Sequence, residues 1–279
     1  MNELSITVLV DNTAMDPALR AEHGLALWIE TGDRHILFDT GMSDALLHNA
    51  AHMGIDPGTA DILVLSHGHY DHTGGLGPLL SARGDRLPTV YAHPRALAPK
   101  YGRNTDGSGR ENGMVPAVRA YLTSHSETRL VEGPTEVVPG VSLTGPVPRE
   151  TDFEDTGGAF YTDSECRAAD PMPDDQAMFA DTAAGLVVVL GCAHAGVVNT
   201  LRYIRTLVPD RPFDTVIGGM HLGNSSPERM DKTVTALRDM EIRHLYPIHC
   251  TGRTAAERFR TELGSRVAEA GAGTRLAFV

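Results

Sequence analysis

Ser66-His67-Gly68-His69-Tyr70-Asp71-His72-Thr73-Gly74-Gly75 places three imidazoles and one carboxylate within six residues. Nitrogen and oxygen donors of this kind are the ligands that zinc and related divalent ions select. Packing alone gives no reason to crowd four such groups into one loop, and burying them without partners is costly. The apolar run Asp61-Ile62-Leu63-Val64-Leu65 leads into the loop and reads as a buried strand. Gly74-Gly75 then lets the backbone turn and approach its neighbours closely. The bland alternative is a solvated polar loop, and the density of donors argues against it.

Working outward, residues 6–10 read as a first strand, and 25–30 with 35–38 as a hairpin about Thr31-Gly32-Asp33. Residues 44–53 read as a helix closed by Asp56-Pro57-Gly58. A short helix over 76–82 and a strand over 89–92 follow. Residues 94–120 and 145–175 are Gly-rich and charged without an apolar period, so they read as loop-rich insertions. Regularity then returns, with strands over 176–180 and 186–190, a helix over 197–207 and a strand over 215–217. A helix over 227–240, a strand over 244–248 and a helix over 253–270 complete the chain. Each half runs strands first and then alternates strand with helix. That order fits an α/β fold of two sheets packed face to face with helices outside, as a single domain over 1–279.

The composition is that of an ordinary globular chain, with 279 residues and 41% hydrophobic content. A net charge of −12 argues against binding a nucleic-acid duplex, whose phosphates it would repel. Three cysteines, Cys166, Cys192 and Cys250, are too few and odd in number for a disulfide framework, which suits a reducing compartment. The opening residues carry no basic segment of a secretory signal, and no apolar run approaches about 18 residues. A cytoplasmic protein that does not span a membrane is expected.

Four donors in one loop do not complete a pair of metal sites. Three later apolar strands each end in more of them: Gly191-Cys192-Ala193-His194, Gly218-Gly219-Met220-His221 and Ile248-His249-Cys250. The C-terminal ends of neighbouring strands gather side chains at one sheet edge, so these can converge with the first loop.

The loop resembles the H-x-H-x-D-H motif of the metallo-β-lactamase superfamily, which implies a four-layer αββα sandwich and two divalent ions about 3.5–4 Å apart. The resemblance implies His67 and His69 on one ion, and Asp71 and His72 on the other, joined by His249. It leads one to expect a histidine near Leu143-Thr144-Gly145-Pro146 and a bridging acid after Gly191, but the chain has neither. His194 is expected to fill the open place. Cys192 is either a thiolate ligand or a small buried residue. His221 is a ligand, a substrate or catalytic contact, or a hydrogen-bonded residue behind the ligands. Asp39, in Leu37-Phe38-Asp39-Thr40-Gly41, matches a motif whose acid orients the metal loop, the alternative being a turn-capping Asp. The ions implied are Zn²⁺, with Mn²⁺ or Fe²⁺ as alternatives. A histidine at 69, where flavodiiron relatives carry an acid, favours hydrolysis over redox work.

One branch is similar in further segments, including Val10-Asp11-Asn12, Ala21-Glu22-His23-Gly24-Leu25, Pro148-Arg149-Glu150-Thr151-Asp152-Phe153-Glu154 and Asp174-Asp175-Gln176. It comprises proteins labelled 7,8-dihydropterin-6-methyl-4-(β-D-ribofuranosyl)aminobenzene-5′-phosphate synthase. The reading is therefore a metal-dependent hydrolase of a small ester, lactone or phosphodiester, with Asp71 as proton acceptor. A pterin-related synthase or lyase, or a metal-bearing ligand-binding protein without turnover, are the alternatives. Candidate substrate contacts are Arg149 as an anion clamp, Tyr70 as a stacking ring, and Glu22 and His23 at the rim. Each has a surface reading beside it, and Phe153 and Tyr161 are further ring candidates. The partner expected is a small-molecule substrate, and a homodimer is the default assembly.

Overall fold

The computed structural model describes residues 3–84 and 88–278; Met1 and Asn2 of the opening stretch lie outside them. The first half contributes β1 (Leu4–Val10), β2 (Ala26–Thr31), β3 (Arg34–Phe38), α1 (Ala45–His52) and β4 (Ile62–Val64). After it come α2 (Tyr70–Thr73), α3 (Leu76–Arg83), β5 (Thr89–Ala92), β6 (Tyr101–Arg103), β7 (Gly109–Glu111), α4 (Pro116–Ser124) and β8 (Thr128–Leu130). The second half contributes β9 (Thr135–Val138), β10 (Val141–Leu143), β11 (Phe160–Tyr161), β12 (Met178–Thr182) and β13 (Gly185–Leu190). It ends with α5 (Val197–Leu207), β14 (Phe213–Gly218), α6 (Pro227–Asp239), β15 (His244–Pro247), α7 (Arg253–Leu263) and β16 (Arg275–Phe278).

Seven strands form one sheet in the order β16-β1-β2-β3-β4-β5-β8, and six form a second in the order β15-β14-β13-β12-β10-β9. Their inner faces share a core: Ile6, Leu27, Ile36 and Val64 of the first sheet pack with Leu143, Met178, Val187 and Ile217 of the second. The outer face of the first sheet, with Trp28, Leu37 and Leu63, is covered by Leu46, Leu76, Leu79 and Val118 of α1, α3 and α4. Val188, Leu190 and Val216 on the other outer face meet Val198, Leu201, Met230 and Phe259 of α5, α6 and α7. Alternate residues of β13 thus feed two different cores, which is why all six are buried. The layers run helix, sheet, sheet, helix, as expected.

Strands β3, β4 and β5 are parallel, as are β13, β14 and β15. Parallel strands put their C-terminal ends at one edge, which is where open α/β sheets bind ligands. Asp39, the metal loop, Cys192, His221 and His249 all follow such ends.

Several expectations need correction. The helix over 253–270 stops at Leu263, because Gly264 takes φ 65° and ends the turn. The chain after it returns as β16 along β1. Residues 94–120 are not structureless: β6 and β7 form a hairpin that pairs with β11 from the second insertion, and α4 follows. These strands have two or three residues each, too short to show an alternating pattern. Among the described residues no helix is long and apolar enough to cross a membrane.

Candidate metal centre

The loop leaving β4 is clamped before its side chains are considered. Asp39 accepts from the Ser66 N–H at 2.7 Å and from the Ser66 hydroxyl at 2.6 Å. Thr40 N–H donates to the His72 carbonyl, Leu25 N–H to Asp71 and Tyr70 N–H to Asn112. Behind the loop, a Cβ at Gly74 or Gly75 would lie 2.2 Å from the Met42 carbonyl or 2.1 Å from the Thr40 carbonyl, so this crossing requires glycine. Asp174-Asp175-Gln176 brace the other side. Asp174 accepts from Gly68 N–H at 2.9 Å, and the Gln176 amide donates to the Leu65 carbonyl at 2.9 Å. Lys100, buried between Asp170 at 2.9 Å and Asp174 at 2.8 Å, holds Asp174 in place.

Held this way, His67, His69, Asp71 and His72 are all buried. Asp71, His72, Cys192 and His249 each present one donor atom within 4.8 Å of the others, and so do His67, Cys192 and His194. His69 Nδ1 lies 3.0 Å from His67 Nε2, and its ring is 5.0 Å from that of His194. Two groups of donors therefore meet, with Cys192 common to both.

The partners behind each ring decide which nitrogen carries the proton. His72 Nδ1 lies 2.6 Å from Asp39 Oδ2, an acceptor, so its proton is there. His249 Nδ1 faces Asn12 Oδ1 at 2.9 Å, and His194 Nδ1 faces the Thr156 carbonyl at 2.8 Å. Ser66 gives its own proton to Asp39, so it accepts from His67 Nδ1 at 2.9 Å. With Nδ1 so occupied, each of these rings turns Nε2 inward, where His67 meets His69 Nδ1 at 3.0 Å and His72 meets the Cys192 sulfur at 3.1 Å. His72 Nε2 and His249 Nε2 face each other at 3.2 Å, and His194 Nε2 is buried without a partner. Lone pairs aimed at one another repel unless a cation lies between them. The donor set fits divalent ions, and ligand orientation from behind by carboxylate and carbonyl groups is the usual arrangement at such centres.

The electrostatics agree. Burial, reinforced by neighbouring histidines, holds His67 and His194 well below the usual imidazole range. Burial does the same to His69, against the pull of Asp71. All three are neutral near pH 7 and need lose no proton to bind a metal. His72 is different: burial alone would lower it, but Asp39 and Asp71 outweigh burial and raise it. Burial would raise Asp71, yet His72, His23 and His249 hold it well below the usual carboxylate range. Burial pushes the Cys192 thiol up.

The remaining expected residues divide. His23 borders the cluster, with Nε2 3.2 Å from Asp71 Oδ2 and a side chain 51% exposed. Glu22 does not reach it; its carboxylate binds Met42 N–H at 2.8 Å and Ser43, closing a turn. Tyr70 is half-buried at the start of α2. His221 stands beside His194, with ring centres 4.4 Å apart and a buried Nδ1 that has no partner, and it groups with Cys192 and Cys250 rather than with His67. Arg149 is exposed and donates to the Pro171 carbonyl at 2.7 Å, because its loop folds back on the segment before Asp174. Phe153 packs on the outer helical core and Tyr161 lies under Arg103. The ring that does meet the cluster is Phe160, 4.7 Å from His69 and 5.0 Å from His194. Phe160, Asn12, Lys100 and Asp11, which accepts from the His249 N–H at 2.7 Å, went unassigned from sequence. Only Asp11-Asn12, at the end of the first strand, carried a signal that could have marked them.

Residues 19–213 match the family model of the metallo-β-lactamase superfamily. An uncharacterised protein of Methanocaldococcus jannaschii is 30% identical over 88% of this chain and 90% of its own length. A 7,8-dihydropterin-6-methyl-4-(β-D-ribofuranosyl)-aminobenzene-5′-phosphate synthase from the same organism is 27% identical over 92% of this chain and 90% of its own. Among solved structures, Tm1679, described as a metal-dependent hydrolase of the β-lactamase superfamily, superposes with a TM-score of 0.82. It is 31% identical, and the match covers 98% of both chains.

Proposed function

The chain belongs to the metallo-β-lactamase superfamily, and from that premise we propose that it is a metal-dependent hydrolase that directs water onto a small ester, lactone or phosphodiester. The observation that supports this reading is the set of inward Nε2 lone pairs on His67, His72, His194 and His249, each fixed by an acceptor behind its ring. His67, His69 and His194 would hold one ion, and Asp71, His72 and His249 a second, while Cys192 offers a donor to either group. Divalent ions in such a pair lower the pKa of water to about 7 and polarise the oxygen under attack.

The chain's own groups supply the rest. Asp71 Oδ2 lies within 3.6 Å of His23, His72 and His249, so it can take up a proton from the attacking water and share it toward the exposed His23. His221, with a buried, unpartnered Nδ1 beside His194, would hold the substrate group under attack. Phe160 covers His69 and His194 and keeps bulk water off that side.

The test is metal analysis of protein purified without chelator, followed by a screen of lactones, esters and phosphodiesters. Bound ions and turnover that His69→Ala abolishes support the reading. Bound ions with no turnover across the screen overturn it. A second reading, a synthase or lyase acting on a dihydropterin compound, rests on the synthase relative and on the flat face of Phe160 beside the donors. Tight dihydropterin binding without hydrolysis favours it.

A further inference from the structure

Cys192 and Cys250 follow β13 and β15, which flank β14. Strands two apart in a sheet are separated by about 9.6 Å. Yet the two sulfurs, together with a nitrogen of His221, lie within 4.8 Å of one another. Past the strand ends the two loops lean together over the end of β14. What lies beneath is Gly219, where a Cβ would come 2.5 Å from the Cys250 sulfur, so any larger residue would fill the gap. The Cys250 thiol already points across, 3.8 Å from the Cys192 carbonyl. Both thiols are free. One hop between staggered χ1 wells moves a cysteine sulfur by ~3 Å, enough to reach the bond length of about 2.05 Å. Cys166 is remote, its sulfur donating to the Gly102 carbonyl.

We propose that Cys192 and Cys250 are a redox-active dithiol that a hydroperoxide oxidises to an intrachain disulfide. Cys250, half-buried, is the more open of the two and meets the peroxide first. Its sulfur attacks one peroxide oxygen, the O–O bond breaks, and water leaves a sulfenic acid. The Cys192 sulfur then attacks the Cys250 sulfur. The S–O bond breaks, a second water leaves and the disulfide forms. Two thiols give up two electrons and two protons, and one hydrogen peroxide becomes two waters. The consequence reaches the metal centre, because the Cys192 sulfur lies 3.1 Å from His72 Nε2. A sulfur bonded to Cys250 is no longer a thiolate donor to either group of ligands. The sulfur pair would thus report oxidant to the site through the one donor both groups share.

The experiment treats the folded protein, as purified with its metals, with a few equivalents of hydrogen peroxide. Unreacted thiols are then alkylated in denaturant and the protein is mapped by mass spectrometry. The expected result is an intact mass lower by about 2 Da before alkylation, a crosslink joining the Cys192 and Cys250 peptides, Cys166 still alkylated, and full reversal by dithiothreitol. Cys250→Ser and Cys192→Ser should each form no crosslink while remaining folded by circular dichroism. Oxygen addition without a crosslink, an unchanged mass, or a crosslink through Cys166 would overturn the proposal. None of these readouts depends on turnover, so they stand apart from the hydrolase reading.

Discussion

Replacing Asp39 with asparagine changes one atom at a fully buried point of the centre. Asp39 is fully buried and accepts three hydrogen bonds, from Ser66 N–H at 2.7 Å, Ser66 Oγ at 2.6 Å and His72 Nδ1 at 2.6 Å. In Asp39→Asn one oxygen can keep the Ser66 N–H. The amide NH₂ then faces the Ser66 hydroxyl and His72 Nδ1, both of which were donors. The hydroxyl can rotate, but His72 can accept only by moving its own proton to Nε2. That proton lands between His72 and His249, whose Nε2 atoms are 3.2 Å apart, where the lone pairs had been aimed. Loss of such a supporting partner typically costs 10- to 100-fold in metal affinity, about 1.4–2.8 kcal/mol. Because the tautomer itself is reversed, the upper end is expected for an ion that, under the proposed function, Asp71, His72 and His249 would hold. The ion at His67, His69 and His194 should weaken less. The assay is competition with a chromophoric chelator, which resolves two affinities, beside thermal unfolding of the metal-free protein. Hydrogen bonds to a charged group contribute about 1.5–3 kcal/mol each, so the metal-free variant should also melt earlier. A folded Asp39→Asn protein that binds both ions as the unaltered chain does would refute the tautomer argument.

Lys100→Met should destabilise the fold by about 3–5 kcal/mol in urea unfolding, since it strands Asp170 and Asp174 as buried charges; a loss under 1 kcal/mol would show that the triad is not compensating them. Burial pushes Asp175 up to about 6, and one of its oxygens has no partner. A carboxyl raised in the fold is destabilising above its folded pKa and harmless below its unfolded one, so Asp175→Asn should stabilise metal-free protein by about 3 kcal/mol at pH 8. The gain should shrink as pH falls below about 6, and a gain independent of pH would contradict the assignment. Phe160→Ala should leave bound metal in place but lower kcat/KM by about 2- to 12-fold through lost ring contact; an unchanged value on the best substrate found would remove Phe160 from the site. Lowered pKa values at His67, His69 and His194 mean that the unfolded chain binds more protons in acid. Metal-free stability should therefore fall as pH drops below about 6.5, by up to about 1.4 kcal/mol per unit for each histidine. The raised His72 works oppositely, its contribution being full in acid and lost as pH rises. Urea midpoints that rise on acidification through that range would show the balance to be reversed.

The strand before the first loop was legible because it is wholly apolar and buried, though only three residues long. The helix read over 197–207 is α5, and the strand read over 89–92 is β5. Where elements are short, as in β6, β7 and β11, no period exists to read, and the edge strand β16 was hidden behind an overlong helix. The gathering of His67, His69, Asp71 and His72 was visible in one line of sequence, since a loop of six residues cannot separate its own side chains far.

What the chain's order of residues determined alone was local: which donors exist, which lie in one loop, and which strand ends carry more of them. Only tertiary structure decided that Asn12 and Thr156 would stand behind the rings of His249 and His194 and set their protons, and that Phe160 rather than Tyr161 would cover the donors. Those facts depend on contacts across as many as 237 positions of chain, and such contacts are set by how two sheets pack and not by any period along the sequence.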